Sequence, residues 1–284
     1  MKRVLILGAT GLIGHQVCLR LMQRGDYQVF HMAKQRKIND ETLLLDARDE
    51  LRLERKIFEI KPAVIVNCMG ILISEANRNP EHAIFLNAYI PHRLKAIADQ
   101  YGARLVHIST DCVFSGKKGS YKEGDIKDAD NLYGRAKALG EVFEAPHLTL
   151  RTSVVGPELK DGEELFHWFM SQQVSIQGYT KALWSGVTTL ELAKAVEWAI
   201  EYDISGLYHV TNGKPINKYA LLMLFKKYTK KEIEIVAVAG RVTDKTLLDT
   251  RQERGDVIPD YDDMVRDMVV FMKANSDLYS QYLL

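Results

Sequence analysis

A tyrosine and a lysine four residues apart are the first side chains in this sequence that could carry out chemistry together. Tyr133 and Lys137 lie in the segment NLYGRAKALGE, whose pattern predicts the start of a helix. Residues four apart share one face of a helix, so both side chains would reach the same site. A neighbouring ammonium, helped by a cationic nicotinamide ring, would stabilise phenolate and is expected to lower the pKa of Tyr133 from about 10 toward the working pH. Such a tyrosine can donate a proton to a carbonyl oxygen while hydride reaches the carbon, or accept one in reverse.

Two hydroxyl side chains precede this predicted helix. Ser109 and Thr110 end the apolar segment ARLVHIST, which is typical of a buried strand. Active sites of open parallel sheets lie at the carboxyl ends of their strands. A hydroxyl at this position could therefore polarise the carbonyl that Tyr133 protonates. The chain has 13 tyrosines, so one tyrosine–lysine match is weak by itself, but this is the only Tyr-x-x-x-Lys in the sequence.

Three glycines at a predicted strand-to-helix turn form a candidate phosphate-binding loop. In LILGATGLIGHQV, Gly8 would allow the tight turn, Gly11 the approach of a pyrophosphate, and Gly14 close packing of helix on strand. The free N–H groups of the following helix attract phosphate oxygens. Because the triplet follows the first strand and opens a helix, it favours dinucleotide binding over three turn glycines without a ligand.

The end of the predicted second strand favours one dinucleotide over the other. An acidic residue there would bind the ribose 2′-hydroxyl of NAD(H), but the sequence reads FHMAKQRK and has no acid before Asp40. Lys34, Arg36 and Lys37 could instead neutralise a 2′-phosphate. NADP(H) is therefore the preferred cofactor and NAD(H) the alternative, although each cation singly is also typical of a solvated loop.

The elements that must position these residues alternate along the chain. Apolar strand-like segments and helical patterns take turns through the first half, which predicts a doubly wound parallel sheet of the Rossmann type. Pro91 should kink or break a long helical pattern. A boundary near residue 155 is predicted, with a dinucleotide-binding domain at 1–155. Residues 156–284 would form a smaller α/β substrate-binding part, with some segments returning to the first domain. There, Thr188 and Glu191 offer a capping box.

Composition excludes several classes of function. The 284 residues carry a net charge of +1, which gives no general attraction to nucleic acid or anionic membrane. No apolar run reaches the ~18 residues of a membrane span, and MKRVLILGATG indicates a buried strand better than a signal peptide. Three widely spaced cysteines indicate reduced thiols and a cytoplasmic protein. The eight histidines form no metal-binding cluster.

The motifs together resemble a known family. GATGLIG, VNCMG, STDCVF, YGRAK and LRTSVVGPE occur in the order and spacing of the extended short-chain dehydrogenase/reductases. The version looks like the dTDP-4-dehydrorhamnose reductase-like branch, which acts on nucleotide sugars. The resemblance is good over residues 1–157 and looser beyond them. It implies a nucleotide-sugar substrate and leaves open a homodimer formed through helices that flank the catalytic tyrosine.

The resemblance also implies a role for individual positions. Thr110 matches the catalytic hydroxyl, Tyr133 the acid–base residue, and Lys137 its partner. Tyr133 and Lys137 would also contact the cofactor. The other implied cofactor positions are Gly8, Thr10, Gly11, Leu12, Ile13 and Gly14 in the loop, Asp46 and Ala47 at the adenine, Cys68, Met69 and Gly70 beside the ribose, Asn87 as a brace for the active-site strands, and Ser153 at the nicotinamide pocket.

Departures from the family pattern bear on the reaction. Ala129 stands where the family often has proline, and the acid at the end of the second strand is missing. Nucleotide-sugar dehydratases carry Asp-Glu after the catalytic threonine, whereas Asp111 is followed here by Cys112. The preferred reaction is therefore reduction of a 4-keto group on a nucleotide-linked deoxysugar. Two alternatives remain open: an epimerase that retains its cofactor, and a non-catalytic dinucleotide-binding regulator, since the regulatory subunit of methionine adenosyltransferase resembles the same branch.

Overall fold

A computed structural model describes residues 1–160, 162–255 and 258–282 of the chain. The strands in these ranges are β1 (Lys2–Leu7), β2 (Tyr27–Ala33), β3 (Leu43–Leu44), β4 (Val64–Asn67), β5 (Arg104–Thr110), β6 (Leu148–Thr152), β7 (Val154–Val155), β8 (Ser175–Tyr179), β9 (Ala182–Trp184), β10 (Val187–Thr188), β11 (Gly206–His209), β12 (Ile216–Asn217), β13 (Glu234–Val238) and β14 (Thr243–Asp244). The α-helices are α1 (Gly14–Arg24), α2 (Glu50–Ile60), α3 (Ile73–Arg78), α4 (Pro80–Ala83), α5 (Ile90–Tyr101), α6 (Leu132–Leu139), α7 (Leu165–Ser171), α8 (Thr189–Glu201), α9 (Lys218–Thr229) and α10 (Tyr261–Ala274).

A seven-stranded parallel sheet organises the molecule, in the order β11-β6-β5-β4-β1-β2-β3. The chain builds outward from β1 to β3 and then crosses back so that β4 pairs with the other side of β1. The connections therefore change direction between β1 and β4, and such a switch point opens a crevice at the carboxyl ends of the two strands. This order confirms the predicted doubly wound α/β fold.

Helices cover both faces of this sheet because the strand residues alternate between them. Val4 and Ile6 of β1 share one apolar cluster with Val17 of α1 and Val196 of α8. The intervening residues of β1 belong to a second cluster, built on α2 and α5, with members Leu5, Leu7, Leu53, Ile57, Leu94 and Ile97. Burial on both faces explains why these strands are continuously apolar in sequence.

The second half of the chain contributes both to the main sheet and to smaller ones. Strand β11 pairs in parallel with β6 at the edge of the main sheet. The smaller sheets pair β13 with β8, β10 with β7, and β9 with β12 and β14. The predicted division at residue 155 remains a prediction.

Pro91 interrupts its helical region as its chemistry requires. The turn before it, Ile84–Tyr89, is a π-helix, and Pro91 lies in the first turn of α5. Proline has no N–H, and its ring crowds the carbonyl four residues earlier, which here belongs to Asn87. That carbonyl lies 2.0 Å from where a Cβ of Gly140 would stand, so α6 ends close against the π-helical turn.

Only half of the predicted capping box forms. The Thr188 hydroxyl accepts a hydrogen bond from the Glu191 amide at 3.3 Å and caps α8. The Glu191 carboxylate does not return to the Thr188 backbone. It pairs instead with Lys194 at 3.1 Å and Arg254 at 3.0 Å. Two nearby cations compete for the carboxylate that the box would use.

Candidate active site

The glycine loop forms a tight turn at the carboxyl end of β1. Gly8 has φ +79°, and the Gly11 amide donates to the Gly8 carbonyl at 2.9 Å. A Cβ on Gly14 would lie 2.1 Å from that same carbonyl oxygen. Residues Thr10, Gly11, Leu12 and Ile13 between them are half-buried. The turn therefore depends on glycine at its first and last positions and keeps its backbone accessible.

The segment after β4 forms the opposite side of the crevice. A Cβ on Gly8 would lie 2.9 Å from the carbonyl carbon of Cys68, so the two segments touch through their backbones. The Met69 amide donates to the Asn67 side chain at 3.1 Å.

Asn87 braces this second segment from the π-helical turn. Its amide accepts from the Ile71 N–H and donates to the Ile71 carbonyl, both at 3.0 Å. The side chain is fully buried, and a Cβ on Gly70 would lie 3.1 Å from its oxygen. Asn87 is thereby placed to hold the segment after β4, as the resemblance implies.

The basic loop after β2 contains one paired cation and two that face a cavity. Lys34 lies 3.3 Å from the Asp46 carboxylate, which Arg48 also binds at 2.5 Å. The hydrogen bonds from Arg48, together with Lys34, hold the pKa of Asp46 well below its usual range.

Arg36 and Lys37 instead line a cavity of about 150 Å³ with Thr10, Ile38, Leu159 and Leu278. Ala47, beside Asp46, is buried. The cavity therefore places Arg36 and Lys37 beside Thr10 of the glycine loop, where they could bind a 2′-phosphate. Lys34 is the weaker candidate because it is already paired with Asp46.

Replacing Arg36 should change the preference between dinucleotides. Loss of one charge-assisted hydrogen bond to a 2′-phosphate should raise the Kd for NADPH about tenfold and leave the Kd for NADH unchanged. Calorimetric titration of R36A with both cofactors measures this. K34A is the matched control and should have the smaller effect, because Lys34 is already paired with Asp46. Equal losses for NADPH and NADH in R36A would contradict the assignment.

Helix α6 brings Tyr133 to the carboxyl end of β5. Asn131 caps the helix by accepting from the Gly134 amide at 2.9 Å. A Cβ on Gly134 would lie 2.1 Å from the Cys112 carbonyl, so the first turn of α6 rests directly on the segment after Thr110. Tyr133, in that turn, lies beside the Thr110 side chain, whose hydroxyl donates to the Asp111 carboxylate at 3.2 Å. The three predicted catalytic residues therefore lie around one strand end.

In the structure, the pKa of Tyr133 is raised above its ordinary value instead of lowered. Burial raises the pKa of Tyr133, and Cys112 and Asp111 raise it further. Lys137 is not among the groups that shift the pKa of this phenol in the structure, so lowering by the ammonium together with a cationic nicotinamide ring stays a prediction. Lys137 is 5 % exposed, and its ammonium donates to the Ile108 carbonyl at 2.7 Å. Burial lowers the pKa of Lys137 to about 8.

A buried histidine, which the sequence analysis did not single out, contacts the lysine. His107 lies 3.5 Å from the Lys137 Nζ through Nε2 and 3.1 Å from the Asn67 amide nitrogen through Nδ1. Asn67 uses its oxygen to accept from Met69, so its nitrogen donates to His107. The chain Asn67–His107–Lys137 thus links the segment after β4 to the predicted catalytic lysine. A polar residue inside the apolar strand ARLVHIST was the available signal.

A buried ion pair between Glu141 and Arg151 binds one of the two hydroxyl side chains at the end of β5. Glu141 accepts from Ser109 Oγ at 2.8 Å and from two Arg151 nitrogens at 2.8 and 2.7 Å. Arg151 also contacts His209 at 2.8 Å. The Ser109 hydroxyl is therefore used in a buried hydrogen bond to Glu141. Thr110 is the hydroxyl side chain that lies beside Tyr133. Glu141 and Arg151 carried no recognisable signal in sequence.

The remaining side of the site comes from the second half of the chain. Ser153 is half-buried, and its carbonyl accepts from the Val187 amide at 2.9 Å. Burial raises the pKa of Asp111, and the charges of Lys245 and Lys218 oppose that shift. The ammonium of Lys218 lies 5.2 Å from the centre of the Trp184 ring. Trp184 itself is only 3 % exposed, which leaves little of the ring for stacking on a base.

Two buried histidines should make the fold sensitive to acid. Burial lowers the pKa of His15 to about 4, against the opposing hydrogen bond to the Gly11 carbonyl. Burial, with Arg151 second, likewise lowers the pKa of His209 to about 4. Between the unfolded value of about 6.5 and about 4, the unfolded chain binds more protons than the folded one. Stability is therefore present above about pH 6.5 and is lost as the pH falls.

The expected loss is up to about 1.4 kcal/mol per pH unit for each histidine. Denaturant titrations between about pH 7 and about pH 4.5 measure it. H15Q should be less stable near neutrality but lose stability less steeply on acidification. An unchanged slope in that variant would show that His15 is not one of the responsible groups.

Among the described residues, no group of histidine, cysteine and carboxylate side chains is arranged to hold a metal ion. Within the same ranges, none of the helices combines the length and hydropathy that a membrane crossing requires. Cys18, Cys68 and Cys112 are free thiols.

Comparison with known proteins identifies relatives over most of the chain. Residues 1–243 match the family model described as the RmlD substrate binding domain. The spore coat polysaccharide biosynthesis protein SpsK of Bacillus subtilis (strain 168) is 27 % identical over 84 % of this chain and 83 % of its own. Methionine adenosyltransferase 2 subunit beta of Bos taurus is 29 % identical over 78 % of this chain and 70 % of its own. The crystal structure of dTDP-4-dehydrorhamnose reductase from Bacillus anthracis str. Ames with NADP superposes with a TM-score of 0.83 at 22 % identity, covering 95 % of this chain and 99 % of that one.

Proposed function

Because this chain belongs to the RmlD substrate binding domain family, we propose that it is an NADPH-dependent reductase of a 4-keto nucleotide-linked sugar. The first support is the crevice at the switch point of the sheet. There the glycine turn leaves no room for a Cβ at Gly8 or Gly14 and faces the N-terminus of α1. A dinucleotide pyrophosphate suits this backbone cradle. Arg36 and Lys37 lie at one end of it, on the side where a 2′-phosphate would be held.

Residues of this chain supply the proton, orient the ketone and stabilise the phenolate during the reduction. When bound, NADPH supplies the hydride. Tyr133 donates its phenolic proton to the ketone oxygen, and burial, which raises the pKa of this phenol, keeps it protonated beforehand. Thr110 lies beside the phenol and orients the same oxygen. Lys137, held by the Ile108 carbonyl and contacting His107, lies one helical turn away from Tyr133 and is placed to stabilise the phenolate that proton donation leaves.

The observation that carries this proposal is the position of Tyr133 beside Thr110 at the carboxyl end of β5, where the first turn of α6 rests on the segment after Thr110. It is tested by mixing the protein with NADPH and a panel of 4-keto nucleotide sugars and following loss of the reduced nicotinamide absorbance. Turnover with at least one sugar is expected. Binding of NADPH without turnover on any of them would overturn the reductase proposal.

The relative from Bos taurus favours one second candidate, a non-catalytic dinucleotide-binding subunit that regulates a partner. A regulator needs the glycine crevice but not the phenol. A stable complex with a methionine adenosyltransferase, whose formation is unaffected by Y133F, would favour it. Turnover of a 4-keto sugar that Y133F abolishes would favour the reductase.

A further inference from the structure

The C-terminal segment, residues 275–282, packs beside the glycine loop. It follows α10 as a series of turns and lies beyond residue 243, where the family match ends. Tyr279 is 1 % exposed and Tyr282 7 % exposed, so both rings are buried. The two hydroxyls contact different segments of the chain.

Tyr279 holds the glycine loop through a histidine. The carbonyl of Gly11 can only accept, so His15 Nδ1, 2.8 Å away, carries a proton and donates to it. With the ring neutral, His15 Nε2 is then an acceptor, and the Tyr279 hydroxyl at 2.9 Å donates to it. The Gln16 amide donates to the Tyr279 oxygen at 2.5 Å. The Gly11 carbonyl thereby fixes the tautomer of His15, and the Tyr279 hydroxyl, with the Gln16 amide nitrogen 3.3 Å from the same atom, holds the ring from its other side.

Tyr282 and Leu278 contact the segment that follows β7. The Glu158 amide donates to the Tyr282 hydroxyl at 2.9 Å, and His167 Nδ1 contacts the same oxygen at 2.8 Å. Leu159, next to Glu158, lines the cavity of Arg36 and Lys37 together with Leu278. The C-terminal segment therefore joins the start of α1 to the segment that follows β7, and one of its side chains faces the cavity directly.

We propose that residues 275–282 are part of the cofactor site and that Tyr279 is a positioning residue for the glycine loop. This inference rests on the proposed binding of NADPH but not on any sugar substrate. Without the Tyr279 hydroxyl, His15 Nε2 keeps only the longer contact with the Gln16 amide nitrogen, 3.3 Å away, and the ring is held less firmly. The Gly11 carbonyl then relies for part of the time on the His15 backbone amide alone, at 3.3 Å. The loop then adopts its binding conformation less often. The apparent Kd for NADPH rises in inverse proportion to the population of that conformation.

The test compares the Kd for NADPH, measured by calorimetry, in the wild type, Y279F and Y282F. Y279F should weaken binding about tenfold, while kcat on any substrate found stays near the wild-type value and KM for NADPH rises. Amide hydrogen exchange should quicken at Gly11–Gly14 in the cofactor-free variant. Y282F should weaken binding less, because Tyr282 does not touch the loop.

Y208F is the matched control. Tyr208 is also a buried tyrosine whose hydroxyl donates a hydrogen bond, here to Asp249 at 2.6 Å, but it lies on β11 at the edge of the sheet. Its removal should lower the Tm and leave the Kd unchanged. A lower Tm with an unchanged Kd in Y279F would assign Tyr279 a purely structural role and overturn the inference. Failure of the wild type to bind NADPH would instead count against the proposed function.

Discussion

Tyr133→Phe is expected to reduce kcat for ketone reduction by about 100- to 10,000-fold, the range over which a positioned general acid contributes. The phenol is the group beside Thr110 that can give up a proton, and phenylalanine keeps the ring but has no proton to donate. The Kd for NADPH should change far less than kcat, because the glycine loop and the basic cavity are untouched and only the cofactor contact implied for the phenol is lost. Steady-state turnover and calorimetric titration on the same preparation separate the two effects.

Tyr89→Phe provides the comparison for this variant. Tyr89 ends the π-helical turn, and its hydroxyl donates to Glu50 at 2.9 Å on the surface. Its removal should change neither kcat nor the Kd. If Y133F retained more than a tenth of the wild-type kcat, proton donation would have to come from another group, and the assignment of Tyr133 would be wrong.

Gly14→Ala is expected to abolish cofactor binding and to destabilise the fold. The new Cβ would lie 2.1 Å from the Gly8 carbonyl oxygen, 2.8 Å from its carbon and 3.0 Å from the Ala9 Cα, all of them backbone atoms. Helix α1 or the turn must therefore move. Overpacking of this kind typically costs about 1–3 kcal/mol. Displacement of the α1 N-terminus from the phosphates should raise the Kd for NADPH by more than about 100-fold.

Gly25→Ala tests the same substitution at the other end of α1. Gly25 has φ +71°, but nothing lies within 4 Å of where its Cβ would stand. The cost should be limited to about 1 kcal/mol of backbone strain, with the Kd unchanged. Denaturant unfolding and calorimetry report both quantities. Normal NADPH binding by G14A would show that the crevice does not hold the pyrophosphate where we place it.

Several features of the site could be predicted from the sequence because they are local. Tyr133 and Lys137 share one face of a helix because a helix has 3.6 residues per turn. The glycines of the first strand-to-helix turn lie within one short segment, so their pattern is visible in the sequence. The alternation of apolar strands and helices likewise predicted the doubly wound sheet, which the strand order confirms.

The environment of those residues could not be predicted from local sequence. The sequence placed a lysine near a tyrosine, but tertiary packing brought that lysine to Ile108 and His107 and half-buried the tyrosine, whose pKa is raised. Likewise, a run of basic residues was visible in FHMAKQRK, but only the fold brought Asp46 to Lys34 and left Arg36 and Lys37 beside the cavity.

The sequence by itself therefore determined which chemical groups occur, their order, and the element that carries each one. Only the tertiary structure decided which groups meet, as when Tyr279 reaches His15 across 264 residues and Arg151 takes the Glu141 carboxylate that also binds Ser109. The physical reason is that helix and strand periodicity depends on neighbours in sequence. Burial, pKa and hydrogen-bond partners depend instead on neighbours in space, which distant segments supply.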